Sequence, residues 1–159
     1  MPYPDFEEFL AALNARRARY VVGGAHALAF HAIPRATKDI DIFFAPTAPN
    51  AARIEAAIRD FFGGARPKYA TVRNLLDPDV IVQLRVAPVR IDLLNRLEGV
   101  GSFSRAWKER VDAPFGRVAT HYLSLEHLIA EKSHWGRAQD LADLESLRRV
   151  RVRKPRRSR

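Results

Sequence analysis

The sequence predicts an α/β (α+β) fold, in which helices flank a mixed β-sheet and a C-terminal helical extension follows. Three observations lead to this prediction. Helical and strand-like patterns alternate in the first part of the chain, three strand-like runs then follow one another, and the remainder is mostly helical. This order is typical of a mixed core of about five strands with helices appended to it.

The N-terminal part contains five predicted elements: a helix over residues 5–18, a strand over 20–22, a helix over 25–33, a strand over 39–44 and a helix over 51–62. Apolar residues at i, i+3, i+4 and i+7, beginning at Phe6, indicate the first helix. Pro34 ends the second helix. Thr47 or Asn50 supplies the start signal of the third.

Further along, the pattern predicts strands over residues 69–76, 80–86 and 89–94, helices over about 103–111, 124–135 and 137–150, and one more strand near 117–121. Turns at Asp77-Pro78-Asp79 and Ala87-Pro88 separate the three consecutive strands. We therefore divide the chain into a core over residues 1–97 and a C-terminal helical region over 98–147.

The composition is that of an ordinary globular protein. The chain has 159 residues, 47% of them hydrophobic, and no cysteine, so disulfides and thiolate metal sites are excluded. No apolar run approaches the roughly 20 residues that cross a bilayer. The N-terminus is acidic and lacks the basic and apolar regions of a signal peptide. We expect a cytoplasmic protein with no membrane partner.

The basic charge is concentrated at the C-terminus. The net charge is +9, but residues 148–159 hold eight of the 27 Lys and Arg and no acid, which leaves 19 basic against 18 acidic residues elsewhere. Such a run is typical of a solvated end, and we predict a basic, disordered tail over 148–159. The alternative is a tail that helps capture RNA or another acidic partner.

Two aspartates, Asp39 and Asp41, lie in a strand-like run that also contains Ile40 and Ile42. Because side chains alternate across a strand, the two acids point to one face and the two isoleucines to the other. Neighbouring carboxylates repel each other unless a cation lies between them. Mg²⁺ takes a few carboxylate oxygens together with substrate phosphates, so this pair indicates phosphoryl or nucleotidyl transfer.

A glycine pair, Gly23-Gly24, stands where a strand gives way to a helix. Glycine allows backbone N–H groups to approach a ligand closely, and a helix N-terminus attracts phosphate. Such a pair also occurs in simple tight turns. The pair belongs to neither a P-loop nor a dinucleotide fingerprint, because the required flanking residues are missing.

A third acid, Asp92, lies in another strand-like run, Arg90 to Leu94. On its own it could be a strand-edge residue bonded to a turn. Together with Asp39 and Asp41, it gives the minimum number of carboxylates that could hold two Mg²⁺ ions. Such ions activate an attacking hydroxyl and stabilise the leaving pyrophosphate.

The run from Val22-Gly23-Gly24 to Asp39-Ile40-Asp41, followed by Ile91-Asp92-Leu93, resembles the nucleotidyltransferase superfamily of the DNA polymerase β type. The segment between the glycines and the aspartates is similar to small bacterial members, including the toxins of abortive-infection and toxin–antitoxin systems and the lincosamide-modifying enzymes. The resemblance covers roughly residues 18–97 and a helical pattern at 123–147. It implies a nucleotidyltransferase-like sheet and an ATP-type nucleoside triphosphate as substrate.

The resemblance also implies roles for single residues. Asp39, Asp41 and Asp92 would be catalytic and would ligate Mg²⁺ or Mn²⁺. Gly23 and Gly24 would cradle the triphosphate. The lead-in to the aspartates and two residues of the C-terminal helices match positions that support or bind the nucleotide in the family: Arg35, Thr37, Lys38, Lys132 and Asp140.

Lys132 permits two interpretations. It falls on the apolar stripe of the 124–135 helix, where a lysine needs a partner. It could pair with Asp140 and pin two helices together, or it could extend along the surface to water. The resemblance instead implies contact with the phosphates of the nucleotide, with Arg137 and Asp140 completing a helical Lys and Arg-x-x-Asp pattern.

Three functions follow from these residues. The first is a Mg²⁺-dependent enzyme that transfers a nucleoside monophosphate to an acceptor hydroxyl of RNA, more narrowly tRNA, or of a protein, with an antitoxin as partner. The second is an antibiotic-modifying enzyme with the same chemistry. The third is a catalytically silent nucleotide-binding or regulatory module.

Overall fold

A computed structural model describes residues 3–153 of the chain. The elements are α1 (Pro4–Ala15), β1 (Tyr20–Val22), α2 (Gly24–His31), β2 (Asp39–Phe44), α3 (Ala48–Phe61), α4 (Val72–Leu76), β3 (Val82–Val86), β4 (Val89–Leu94), α5 (Phe103–Lys108), β5 (Val111–Phe115), β6 (Val118–Tyr122), α6 (Leu125–Trp135) and α7 (Ala138–Arg153). None of these helices is long and apolar enough to cross a lipid bilayer.

All six strands belong to one mixed sheet with the order β3-β4-β2-β1-β6-β5. The β2–β4 and β1–β6 pairs are parallel, and the other three are antiparallel. This confirms the predicted fold class, with six strands in place of about five. Since β6 pairs directly with β1, the C-terminal part of the chain contributes to the same sheet as the N-terminal part.

The two faces of the sheet are covered by different helices. On one face, α1 and α3 pack against Ile40, Ile42 and Phe44 of β2. On the other face, Phe43 joins a second buried cluster that includes Leu128 of α6 and residues of α7. Strand residues alternate between faces, so Asp39 and Asp41 share the face of Phe43. The acids therefore lie on the side of the sheet that α2, α6 and α7 cover.

One predicted strand is wrong. Residues 69–76 end in the short helix α4 rather than forming a strand. The Thr71 side chain accepts a hydrogen bond from the Asn74 N–H (3.1 Å), and Glu55 of α3 accepts one from the Val72 N–H (2.9 Å). These two acceptors cap the first turn, which outweighs the β-propensity of the apolar residues.

The C-terminal half differs from prediction in two further places. The sequence patterns did not indicate β5, which contains Asp112 and Pro114 and forms the edge of the sheet, where proline is tolerated. The last helix also extends further than expected, because α7 continues to Arg153. The predicted tail is thus helical over 148–153, and residues 154–159 lie outside the described part.

Candidate active site

Strand pairing brings the three predicted acids together. β2 and β4 are parallel neighbours in a register that sets Asp41 opposite Asp92 and Asp39 opposite Arg90. Residues directly opposite each other in a ladder point to the same face, and so do residues two apart in one strand. All three carboxylates therefore lie on one face.

Arg90 links two of these acids. Its Nε and Nη2 donate to the two oxygens of Asp92 at 2.8 and 3.0 Å, and Nη2 also donates to Asp39 Oδ2 at 3.2 Å. Bidentate pairing of this kind is among the stronger charge-assisted contacts in proteins. Arg90 was not predicted as a site residue, although its position two residues before Asp92 in the same strand sets it on the acidic face.

Asp41 is the least compensated of the three acids. Burial raises the pKa of its carboxyl to about 6, and the charges of Asp92, Glu131 and Asp39 add to that shift against the opposing charge of Lys132. Within residues 3–153 its carboxylate accepts no hydrogen bond. Negative charge that the protein leaves unbalanced at one point is the electrostatic condition for binding a cation.

The glycine pair lies directly against Asp41. The Gly23 N–H donates to the Asp41 carbonyl at 2.9 Å, and α2 begins at Gly24. Gly24 has φ +57°, and a Cβ atom there would lie only 2.1 Å from Asp41 Oδ2. Any larger residue would therefore displace the carboxylate. The start of α2, whose first N–H groups have no partner within the helix, is thus held beside the acid.

The residues that lead into β2 have separate contacts. Thr37 Oγ1 accepts the Asp39 N–H and donates to the Asp39 carbonyl, both at 3.2 Å, and so fixes the start of the strand. The Lys38 carbonyl accepts the Arg90 N–H at 2.9 Å, while its side chain is exposed. Arg35 pairs with Asp143 of α7 at 2.9 Å.

Lys132 is buried in an ion-pair network that joins the two C-terminal helices. Its ammonium lies 3.5 Å from Asp140 Oδ1 and 3.1 Å from Asp143 Oδ2. Arg137 donates from Nε to Asp140 Oδ2 at 2.6 Å. Both acids thus hold the lysine, and through Arg35 the network reaches the lead-in of β2. Asp143, three residues after Asp140 on the same helix, was missed from the sequence.

A cavity of about 400 Å³ opens beside the acids. Gly23, Gly24 and Asp41 line it, together with Ile81 before β3 and Glu131 and Trp135 of α6. No pattern in the sequence selects Ile81, Glu131 or Trp135. Glu131 of α6 is buried. A buried acid indicates either an ionic partner within the protein or a bound ligand.

The carboxylates suit a divalent cation in their chemistry. Three hard oxygen donors share one face, where burial and then the charges of Asp92, Glu131 and Asp39 raise the pKa of Asp41. Among residues 3–153, however, no three acidic or histidine side chains stand close enough to form a ready metal site. Arg90 occupies the space between Asp39 and Asp92, so the two carboxylates interact with the guanidinium.

Two solved structures have the same fold. TM1012 of Thermotoga maritima, a proposed nucleotidyltransferase, is 18% identical with a TM-score of 0.53, and the match covers 96% of each chain. ANT(2")-Ia, solved in complex with adenylyl-2"-tobramycin, is 15% identical with a TM-score of 0.56, and the match covers 94% of this chain and 87% of that one. No curated protein sequence matches this chain.

The sequence also matches a family model, over residues 8–155, that describes the nucleotidyl transferase AbiEii toxin of type IV toxin–antitoxin systems. The match extends over nearly the whole chain, including the acidic strands and both C-terminal helices. The chain therefore belongs to the AbiEii family of nucleotidyltransferase toxins.

Proposed function

We propose that this protein is a Mg²⁺- or Mn²⁺-dependent enzyme that transfers a nucleoside monophosphate from a nucleoside triphosphate to an acceptor hydroxyl. One observation carries the proposal: the parallel register sets Asp41 opposite Asp92, with the start of α2 packed against Asp41. A carboxylate cluster beside a helix N-terminus joins the two features that a metal-bound triphosphate requires.

The three acids would hold the metal. Bound divalent ions would supply charge neutralisation at the reacting phosphate and at the leaving pyrophosphate. Asp39 and Asp41 provide two ligands from one strand, and Asp92 a third from the next. Arg90 would give up part of its pairing with Asp92 and Asp39 when a cation competes for the same oxygens.

The chain's own groups account for the transfer step. The acceptor oxygen forms a bond to the α-phosphorus, the bond from that phosphorus to the bridging oxygen breaks, and pyrophosphate leaves. Asp92 would help to deprotonate the attacking hydroxyl. The N–H groups of the first turn of α2, which begins at Gly24, orient the phosphates. Lys132 is held by Asp140 and Asp143. Its charge lowers the pKa of Asp41, so it contributes positive electrostatic potential at the phosphate site.

The acceptor is proposed to be RNA, and more narrowly tRNA, or a protein side chain. The family is that of type IV toxins, which supports a macromolecular target in the cell and an antitoxin partner. The concentration of Arg and Lys at the C-terminus favours RNA over protein. Cytoplasmic placement belongs to the same proposal.

A small-molecule acceptor is the second candidate. The fold shared with ANT(2")-Ia, whose structure contains adenylyl-2"-tobramycin, shows that this architecture accommodates such an acceptor in another protein. A catalytically silent nucleotide-binding module is the third possibility, and the test below separates all three.

The test is transfer of label from each α-³²P nucleoside triphosphate in turn into a bacterial extract with Mg²⁺. The products are divided by RNase and protease digestion. We expect label that RNase removes. Label removed by protease would assign a protein acceptor, and label in a small molecule would support the second candidate. No label with any nucleotide would contradict the enzymatic proposal.

Matched variants identify the site. Asp39→Asn and Asp41→Asn should each reduce transfer by at least a hundredfold, because each removes a charged metal ligand. Asp112→Asn is the control, since Asp112 is an exposed strand carboxylate on β5, at the far end of the sheet order. Equal activity in the Asp41→Asn and Asp112→Asn proteins would exclude the proposed site.

A further inference from the structure

We propose that the cavity between Asp41 and α6 binds the nucleobase, and that Glu131 makes it prefer a base carrying an exocyclic amino group. The proposal rests on the proposed function, because it assumes a nucleoside triphosphate at the acids. Beyond that function, it identifies the nucleobase as the part of the nucleotide that the protein selects, and it names the residues that contact this base.

The cavity is continuous with the proposed phosphate site. Gly23, Gly24 and Asp41 line it, so a nucleotide whose phosphates lie at the start of α2 has its remaining part directed into the same space. A volume of about 400 Å³ falls within the range of small-ligand pockets and accommodates a nucleoside.

Glu131 lines this cavity and carries a buried acceptor without a partner among the described residues. The residue is 9% exposed, and its Oε2 atom has no hydrogen-bond partner among the residues that the structure describes. Burial raises the pKa of Glu131 although the charge of Lys132 opposes the shift. Leaving a buried carboxylate oxygen without a donor is costly, and a ligand donor would remove that cost.

Apolar groups supply surfaces for a flat ring. Trp135 at the end of α6 is 48% exposed, and Ile81 before β3 is 54% exposed, yet both line the cavity. Large apolar side chains that remain exposed inside a pocket are typical of ligand contacts. Aromatic side chains stack on every kind of nucleobase, so Trp135 would contribute affinity without selecting the base.

Selectivity would come from Glu131. A carboxylate only accepts hydrogen bonds, and adenine, cytosine and guanine each carry an amino group that donates. Uracil presents a carbonyl oxygen where cytosine presents its amino group, and its one donor on that edge, N3–H, lies between two carbonyl oxygens that a carboxylate repels. Uridine triphosphate should therefore bind this cavity more weakly than the best of the other three.

The test measures binding rather than transfer, at pH 8 with Mg²⁺, using the non-cleavable α,β-methylene analogues of the four nucleoside triphosphates. In the wild-type protein, at least one amino-bearing analogue should bind about tenfold more tightly than the uridine analogue. In Glu131→Gln that preference should fall by about tenfold, because an amide also donates to a carbonyl. Glu126→Gln, near the start of the same helix, is the matched control and should keep the wild-type preference.

Fluorescence provides an independent readout of ring contact. The chain has two tryptophans, and the ring of Trp107 instead lies under Arg110, whose Cζ is 3.7 Å from the ring centroid. Nucleotide binding should quench the emission of the wild-type protein and of Trp107→Phe. Trp135→Phe should lose the quenching and keep most of the affinity, whereas Trp135→Ala should weaken all four analogues about equally.

The outcomes are separable. Binding of none of the four analogues to the wild-type protein would overturn this proposal together with the function on which it rests. Tight binding with the same base preference in wild type and Glu131→Gln would overturn only the role of Glu131. A last outcome concerns the sugar: the wild-type protein could bind 2′- or 3′-deoxy analogues more weakly than the ribose forms, while Glu131→Gln binds both equally. That result would assign Glu131 to a sugar hydroxyl and overturn the base assignment.

Discussion

Asp41 is the residue at which the proposed function conflicts with stability. Its carboxylate lies on a rigid strand, near Asp92 and Glu131, without a hydrogen bond from residues 3–153. A side chain in such a position is retained for its charge rather than for its contribution to folding. The conflict can be measured directly.

Asp41→Asn should stabilise the metal-free protein at pH 8. The pKa of the carboxyl is raised from 3.8 to about 6, so its ionised form disfavours the folded state. The stabilising contribution of a raised pKa is present at low pH and is lost as the pH rises through about 6. The gain from asparagine should thus be about 2 kcal/mol at pH 8, with allowance for partial exposure of the group, and should shrink toward pH 4.

Urea unfolding from pH 4 to pH 8, with and without Mg²⁺, measures this effect. Mg²⁺ should stabilise the wild-type protein and leave Asp41→Asn nearly unchanged, because only the former keeps the full ligand set. A variant that is less stable than wild type across the whole pH range would contradict the assignment of charge repulsion at Asp41.

Gly24 is a second residue with a sharp requirement. Gly24→Ala should abolish transfer and destabilise the fold, since its Cβ would lie 2.1 Å from Asp41 Oδ2. Gly63→Ala is the matched control: Gly63 also has positive φ, +73°, but nothing lies within 4 Å of its added Cβ. It should cost about 1 kcal/mol from backbone strain and leave activity intact. Activity assays and thermal unfolding distinguish the two.

At the scale of elements, the helix pair α6–α7 is joined by buried charges. The Lys132 and Asp143 side chains are 7% and 6% exposed, and Arg35 approaches Asp143 from the lead-in of β2. Asp143 therefore ties both helices to the strand that carries two of the proposed catalytic acids.

Asp143→Ala should lower the free energy of unfolding by about 3 kcal/mol, because it leaves a buried lysine with one partner fewer and frees Arg35. Glu145→Ala is the control on the same helix, since Glu145 pairs with Arg149 on the exposed surface. That change should stay within about 0.5 kcal/mol. Similar unfolding curves for both variants would show that the network contributes little.

Strong local patterns in the sequence were enough to predict most elements. The apolar spacing located α1, and the alternation of acids with Ile40 and Ile42 located β2 and the face of it that carries the acids. Asp39, Asp41 and Asp92 could be selected because charge in a strand is rare. Because residues two apart in a strand share a face, the same alternation also predicts that Arg90 lies on the acidic face, beside Asp92.

Other features depend on partners that lie far away in sequence. The helix α4 needs Glu55 of α3 to accept the Val72 N–H, and β5 needs β6 beside it to compensate for Asp112 and Pro114. The importance of Glu131 becomes visible only when Asp41 and α6 line one cavity. These relationships arise from tertiary packing, which periodicity within one segment does not encode.

At the scale of the whole molecule, charge is distributed unevenly along the chain. Residues 154–159 lie outside the described part of the structure, but they contain one Lys and three Arg. If RNA is the acceptor, a chain ending at Arg153 should bind it with a weaker dependence on salt. Each lost phosphate contact lowers the slope of log affinity against log salt by about 0.7 for single strands.

This prediction is checked by RNA binding at several salt concentrations. The shortened protein should bind the nucleotide analogues with unchanged affinity, which serves as the internal control. An unchanged salt slope would show that these residues do not contact RNA.

The pairing of β6 with β1 has a consequence for the timing of synthesis. The ribosome makes the acids at positions 39, 41 and 92 early, but β6, which pairs with β1, and the helix that carries Glu131 and Lys132 emerge only later. A nascent chain that stops after β4 has the three proposed metal-binding acids but lacks the side of the cavity that Glu131 and Trp135 form. Translation itself would therefore delay the appearance of toxic activity until nearly the entire polypeptide has been made.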